Sequence, residues 1–383
     1  MIKRYSLLKN IFTIQLNPNR VFGLDILRAL AIIFVVFGHG NSLIFEESPK
    51  LVQFLIFDGV SIFFVLSGFL IGRILIKELS KSKVNYKTIL NFWIRRWFRT
   101  LPNYYLILFT LFALNYIFNN NFSLFNYKRY FLFAQNLYYE HPYFFSEAWS
   151  LSVEEWFYLL IPLLLLFLIK IFKISIPNAI ILIVFVIIIG VTFFRFQRYS
   201  LNIIDDLTSW DRLLRKQVFT RLDSLMYGII GACVYIYFFK FWKKTKMIFF
   251  VSGIILLITM QLNLLNFKSF GLYHCVFSFS FTSLGTLFLL PYLSLLKTGK
   301  GLFYRIITYI SLISYSMYLV NLKIVKKWIL SAIDIKILQT FDTSLYLGLR
   351  YLLFWLFTII ISILIYKYFE VPMTNLRDKV VVK

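Results

Sequence analysis

Ten stretches of this chain stay apolar for about twenty residues each, the length an α-helix needs to cross the hydrocarbon core of a bilayer. They fall at roughly 24–45, 53–76, 101–119, 148–170, 177–195, 220–240, 247–266, 272–296, 306–328 and 346–368. Within lipid every backbone N–H and C=O has to be satisfied inside the protein. The expected fold is therefore all-α, a polytopic transmembrane helical bundle of about ten spans. No interval between spans is long enough for a separate soluble domain. Hydrophobic residues make up 60% of the 383 and charged residues only 15%, which excludes an ordinary water-soluble domain.

Basic residues set the expected orientation. Lys and Arg outnumber Asp and Glu by 41 to 17, a net charge of +24. In a polytopic protein such an excess reflects loops facing anionic lipid, and nucleic acid is not an expected partner. An even span count puts both ends on one side, together with the basic loops at 77–99, 170–173, 240–246 and 297–305. The bias places both termini in the cytosol, although 195–221 is a basic exception on the other side. Residues 1–23 read as a cytosolic tail, because Lys9 interrupts a short apolar run and no small-residue cleavage site follows. Residues 24–370 form the ten-span unit and 371–383 a second cytosolic tail. Residues 82–102, SKVNYKTILNFWIRRWFRTLP, read as a basic amphipathic interfacial helix between spans two and three. Trp93 and Trp97 would sit at headgroup depth and Pro102 in the first turn of the third span. Cys233 and Cys275 lie in apolar runs and suggest neither a disulfide nor a metal site.

The first span, LDILRALAIIFVVFGHGNSLIF, carries the most telling polar residues. Ionisable groups inside a spanning helix are costly and mark function by default. Arg28 and His39 are eleven residues apart. At ~100° per residue that is about three turns, so both share one face roughly 16 Å apart along the axis. Asp25 lies one turn before Arg28. A neutral imidazole is suited to general-base work near pH 7, while a histidine bonded between helices is the plainer alternative.

Further runs add candidates. GVSIFFVLSGFLIGR, residues 59–73, is rich in small residues. Helix packing explains most of them, and Ser67-Gly68 could leave room for a ligand. RRWFR puts Arg96 and Arg99 one turn apart, a spacing that suits phosphates or lipid headgroups. AWSLSVEEWFY carries Trp149, Glu154 and Glu155. Adjacent helical residues point about 100° apart, so one carboxylate can face a cavity while the other bonds a neighbouring helix. RLDSLMYG supplies Arg221 and Asp223, SYSMYLVN supplies Tyr315, Tyr318 and Asn321, and FEVP ends the last span with Glu370. Singly, each of these last three is more often a packing or boundary feature.

In this order the runs resemble the acyltransferase-three family of integral membrane O-acyltransferases, over roughly residues 20–378. The resemblance implies an enzyme that moves an acyl group, most often acetyl, from cytosolic acyl-CoA to a hydroxyl of a cell-envelope glycan or lipid-linked sugar. It implies no permanently bound cofactor, acyl-CoA serving as co-substrate. His39 and Arg28, with Glu154 and Glu155, are implied as catalytic residues. Arg96, Arg99, Ser67 and Gly68 would hold CoA, and Trp149, Arg221, Asp223, Tyr315 and Asn321 the acceptor. The implied location is a bacterial plasma membrane, in the stand-alone form without an extracytoplasmic hydrolase domain. A homo-oligomer is left open. Two departures stand out: Asn321 occupies a position where the family often has histidine, and Trp156 one where a polar residue is common. Both bear on the acceptor side. The chief rival is a transporter or flippase of an envelope precursor, which also buries charge but commonly shows two repeated halves that are not seen here.

Overall fold

The computed structural model describes residues 20–80, 86–265, 271–333 and 342–380. Among these residues there is no β-strand, and a helix occupies the place of every expected span. The long helices are α1 (Phe22–Asn41), α2 (Gly59–Leu79), α3 (Tyr86–Phe118), α4 (Ala148–Lys170) and α5 (Ile176–Ser200). They continue with α6 (Leu222–Tyr237), α7 (Lys246–Leu265), α8 (Ser278–Leu293), α9 (Gly301–Val320) and α10 (Thr343–Ile365). Eight helical stretches are long and apolar enough to cross a membrane, and α6 and α7 are shorter apolar helices. The protein is thus an all-α polytopic membrane bundle.

Glycine decides how the inner helices meet. A Cβ on Gly68 would lie 2.0 Å from the Leu225 carbonyl oxygen, and one on Gly228 2.2 Å from that of Val65. The backbones of α2 and α6 touch there, the close approach that small residues permit where lipid removes the hydrophobic drive. Gly59 brings α2 equally close to Ala31 of α1, with 2.2 Å from a built Cβ to the carbonyl oxygen. Gly68 is therefore a packing residue buried against α6, and the ligand space expected at Ser67-Gly68 exists only on the Ser67 side.

The start of α2 is fixed by charge. Asp58 caps it, accepting from the Ser61 backbone N–H at 3.3 Å and from Ser61 Oγ at 2.5 Å. Arg221 Nη2 donates to the same Ser61 Oγ at 2.5 Å.

One expectation changes. The basic stretch before the third span is not a separate surface helix: from Tyr86 it runs unbroken into α3, with Pro102 inside the helix. The proline costs one intrahelical bond to the Phe98 carbonyl, which one turn of a long packed helix tolerates. Residues 82–85 of that stretch, and residues 1–19 of the N-terminal tail, lie outside the described residues. At the other end, Val371–Val380 is helical and packs on α3. Glu370, just before it, accepts from Asn103 Nδ2 at 2.8 Å and Ser316 Oγ at 2.9 Å, which ties this end of the chain to α3 and α9.

Candidate active site

α1 to α4 and α9 surround two cavities stacked along the first helix. The first is lined by Arg28, Arg96, Arg99, Ser67, Glu154 and Tyr315, among others. The second holds His39 with Asp58, Glu147, Trp149, Arg215 and Lys216. Arg28 and His39 share a face of α1, as their spacing requires, but each opens into a different cavity.

Three guanidinium groups meet in the first cavity. Among the described residues no hydrogen bond or ion pair reaches the guanidinium group of Arg28, Arg96 or Arg99, and Arg96 Nε is buried without a partner. Cations gathered in a membrane-embedded cavity are expensive unless an anion meets them. The single carboxylate lining this cavity, Glu154, is held by Ser67 Oγ at 3.0 Å and the Tyr158 hydroxyl at 2.9 Å. Glu155 points away and accepts from Thr100 Oγ1 of α3 at 2.7 Å. One member of the pair thus faces the cavity and the other a neighbouring helix. Asp25 is tied to Arg20 and to Ser311 Oγ (2.7 Å) rather than hydrogen-bonded to Arg28.

His39 is oriented by Asn321. Asn321 Nδ2 donates to the Met317 and Tyr318 carbonyls at 2.8 and 2.9 Å, which turns its Oδ1 toward His39 Nδ1 at 2.6 Å. An amide oxygen only accepts, so Nδ1 carries the proton and Nε2 keeps the lone pair of the neutral ring. Nε2 has no protein partner among the described residues, and the ring lines the second cavity. Lys326 Nζ donates to the His39 carbonyl at 2.6 Å and steadies the end of α1.

Glu147 supports this arrangement from the residue just before α4. After Val320 the ninth helix widens into a π-helical turn, Asn321–Ile329, which leaves backbone donors free. Glu147 Oε1 takes those of Leu322 and Lys323 at 3.1 and 2.8 Å. Burial pushes the Glu147 carboxyl above the ordinary range.

Several expected acceptor residues are placed elsewhere. Arg221 and Asp223 are fully buried and line neither cavity. Arg221 holds Ser61, with its guanidinium over the Phe279 ring at 4.2 Å, and Asp223 pairs with Arg195 at 2.6 Å. In the structure they brace the bundle. Tyr315 lies on the arginine cavity, its hydroxyl donating to the Thr100 carbonyl at 2.7 Å. Asn321 is engaged with His39 instead of open to an acceptor, and the Trp156 indole donates to Phe133 O at 3.1 Å. Trp149 does line the His39 cavity, beneath the Arg215 guanidinium at 5.3 Å from its ring.

Sequence reasoning did not single out Glu147, Asp58, Arg215 or Lys216. Their one sequence signal was position, as charges flanking apolar runs on the outer side. Arg215 and Lys216 both pair with Asp211. No cluster of His, Cys, Asp and Glu fit to hold a metal occurs among the described residues.

A family model described as an acyltransferase domain matches residues 21–367. The chain belongs to this acyltransferase family. Within the family, it is 31% identical over 171 residues to the O-acetyltransferase OatA of Staphylococcus aureus (strain NCTC 8325 / PS 47). It is 31% identical over 172 residues to the peptidoglycan O-acetyltransferase OatA of Listeria monocytogenes serovar 1/2a. Each match covers 41% of this chain and 26% of the relative, so the shared region is about a quarter of those proteins. No solved structure matches this acyltransferase chain significantly.

Proposed function

We propose that the protein takes an acyl group, most simply acetyl, from acyl-CoA and transfers it within the membrane to a hydroxyl of a cell-envelope glycan or lipid-linked sugar. The observation that carries this reading is the pairing of cavities. One gathers three guanidinium groups that no protein hydrogen bond or ion pair engages, and the other presents a histidine whose Nε2 is free. The relatives' names point to acetyl as the group, and that of the Listeria monocytogenes relative to peptidoglycan as the acceptor.

Arg96 and Arg99 suit the phosphates of CoA, which guanidinium groups bind bidentately. Arg28, in the same cavity, suits the thioester end of the donor. His39 Nε2 removes the proton of the acceptor hydroxyl, whose oxygen attacks the thioester carbonyl. The carbon–sulfur bond breaks, and the CoA thiol leaves with the proton. The excess of Lys and Arg on the arginine side supports a cytosolic donor cavity in a bacterial plasma membrane.

Binding of acetyl-CoA to the purified protein tests the reading against a flippase. The expected result is saturable binding that weakens when Arg28, Arg96 and Arg99 are each replaced by Ala. Absence of binding to wild type, with envelope precursor moved across liposomes instead, would contradict it.

A further inference from the structure

The two cavities share a wall made of Val60 and Tyr318, the two residues that line both. Val60 is an aliphatic side chain at the start of α2, fixed by the packing of Gly59 on α1. Tyr318 is held differently. Its hydroxyl donates to the Glu147 carbonyl at 2.9 Å and lies 2.7 Å from Ser150 Oγ. A phenol has one proton, so Ser150 donates to Tyr318. Glu147 belongs to the lining of the His39 cavity and Ser150 to that of the arginine cavity. The phenol therefore sits on the boundary, latched to one residue of each side by bonds that a swing of the side chain about χ1 breaks.

Such a boundary matters to an enzyme of the kind proposed above, on which this inference rests. A base such as His39 Nε2 that takes a proton from a sugar hydroxyl can also take one from water. If water oxygen bonds to the acyl carbon, the carbon–sulfur bond breaks, the CoA sulfur takes up the proton and the acyl group is lost as free acid. Exclusion of water is what separates transfer from hydrolysis. We propose that Tyr318 is the residue that makes this choice: its ring closes the passage between the donor and acceptor cavities and turns aside to let the acyl group meet the acceptor hydroxyl.

Two readouts test this on the full-length protein in liposomes. In the first, acetyl-CoA is supplied without acceptor, and released acetate and free thiol are followed. Tyr318→Ala is expected to release acetate severalfold faster than wild type, with Tyr318→Phe, which keeps the ring and loses the latch, in between. In the second, Leu70, which lines only the arginine cavity, is changed to Cys in a background with Cys233 and Cys275 replaced by Ser. A membrane-impermeant thiol reagent is then applied to the His39 face. The added cysteine should be protected when Tyr318 is present and labelled in Tyr318→Ala, while labelling from the arginine face in both shows that the variant is folded. Equal labelling from the His39 face in both, or in neither, overturns the proposal. Labelling confined to Tyr318→Ala without acetate release would support the closure and contradict the acyl-transfer reading instead.

Discussion

Asn321 Oδ1 and His39 Nδ1 lie 2.6 Å apart, joining the end of the ninth helix to the end of the first. Because the amide NH2 is spent on two carbonyls of its own helix, this bond fixes both the direction and the tautomer of the imidazole. An amide at this position does for His39 what a titrating group would do only in one protonation state.

Removing that support should slow the chemistry without weakening donor binding. Asn321→Ala is expected to lower kcat by about 10–100-fold, the usual cost of losing a group that orients a histidine. The KM for acetyl-CoA should stay near wild type, because Asn321 does not line the arginine cavity. Steady-state kinetics check this, and an equal rise in KM would place Asn321 on the donor.

The arginine pair should behave in the opposite way. Arg96→Ala with Arg99→Ala is expected to raise the KM for acetyl-CoA more than it lowers kcat. The wild-type KM should also rise with salt, as contacts to phosphate do. An unchanged KM would assign these arginines to lipid headgroups.

Gly68 is expected to tolerate no side chain. A Cβ placed 2.0 Å from the Leu225 carbonyl oxygen cannot be absorbed by a rotamer change, since the neighbour is backbone. Gly68→Ala should sharply reduce the amount of folded protein, read by size-exclusion profile in detergent. Ser67→Ala, one residue earlier, should fold and alter only the donor cavity.

The loop before α4 supplies a pH dependence. His141 is buried there, with Nε2–H donating to the Phe145 carbonyl at 2.9 Å, and burial lowers its pKa from 6.5 to about 3. The unfolded chain then binds a proton that the folded chain refuses, so stability is full above pH 6.5 and declines as the pH falls toward 3. Between pH 7 and 5 this amounts to about 2 kcal/mol. Melting temperature in detergent should fall over that interval, and His141→Gln should flatten the decline. A parallel decline in the variant would assign the effect to other groups.

The helices were legible because an apolar run of spanning length admits one backbone solution in lipid. The shared face of Arg28 and His39 was legible too, since it follows from helical pitch alone. What one helix's sequence does not carry is the identity of its neighbour. Spacing could not show that Arg28 and His39 open into separate cavities, because the dividing wall comes from Val60 and Tyr318 on other helices. Nor could it separate Ser67, which reaches the donor cavity, from Gly68, which is consumed by contact with α6. Arg221 and Asp223 were expected to meet the acceptor, yet Ser61 and Arg195 hold them in the interior. Glu147 escaped notice because its role depends on backbone donors freed by a π-helical turn 175 residues later in the chain.

The most direct test uses membranes that contain either the wild type or His39→Ala, given acetyl-CoA labelled in the acetyl group. Label is then measured in the envelope glycan and lipid fractions. The account predicts label in an acceptor fraction with wild type and none with His39→Ala, at equal amounts of protein in the membrane. Acetylation by His39→Ala at the wild-type rate would contradict it.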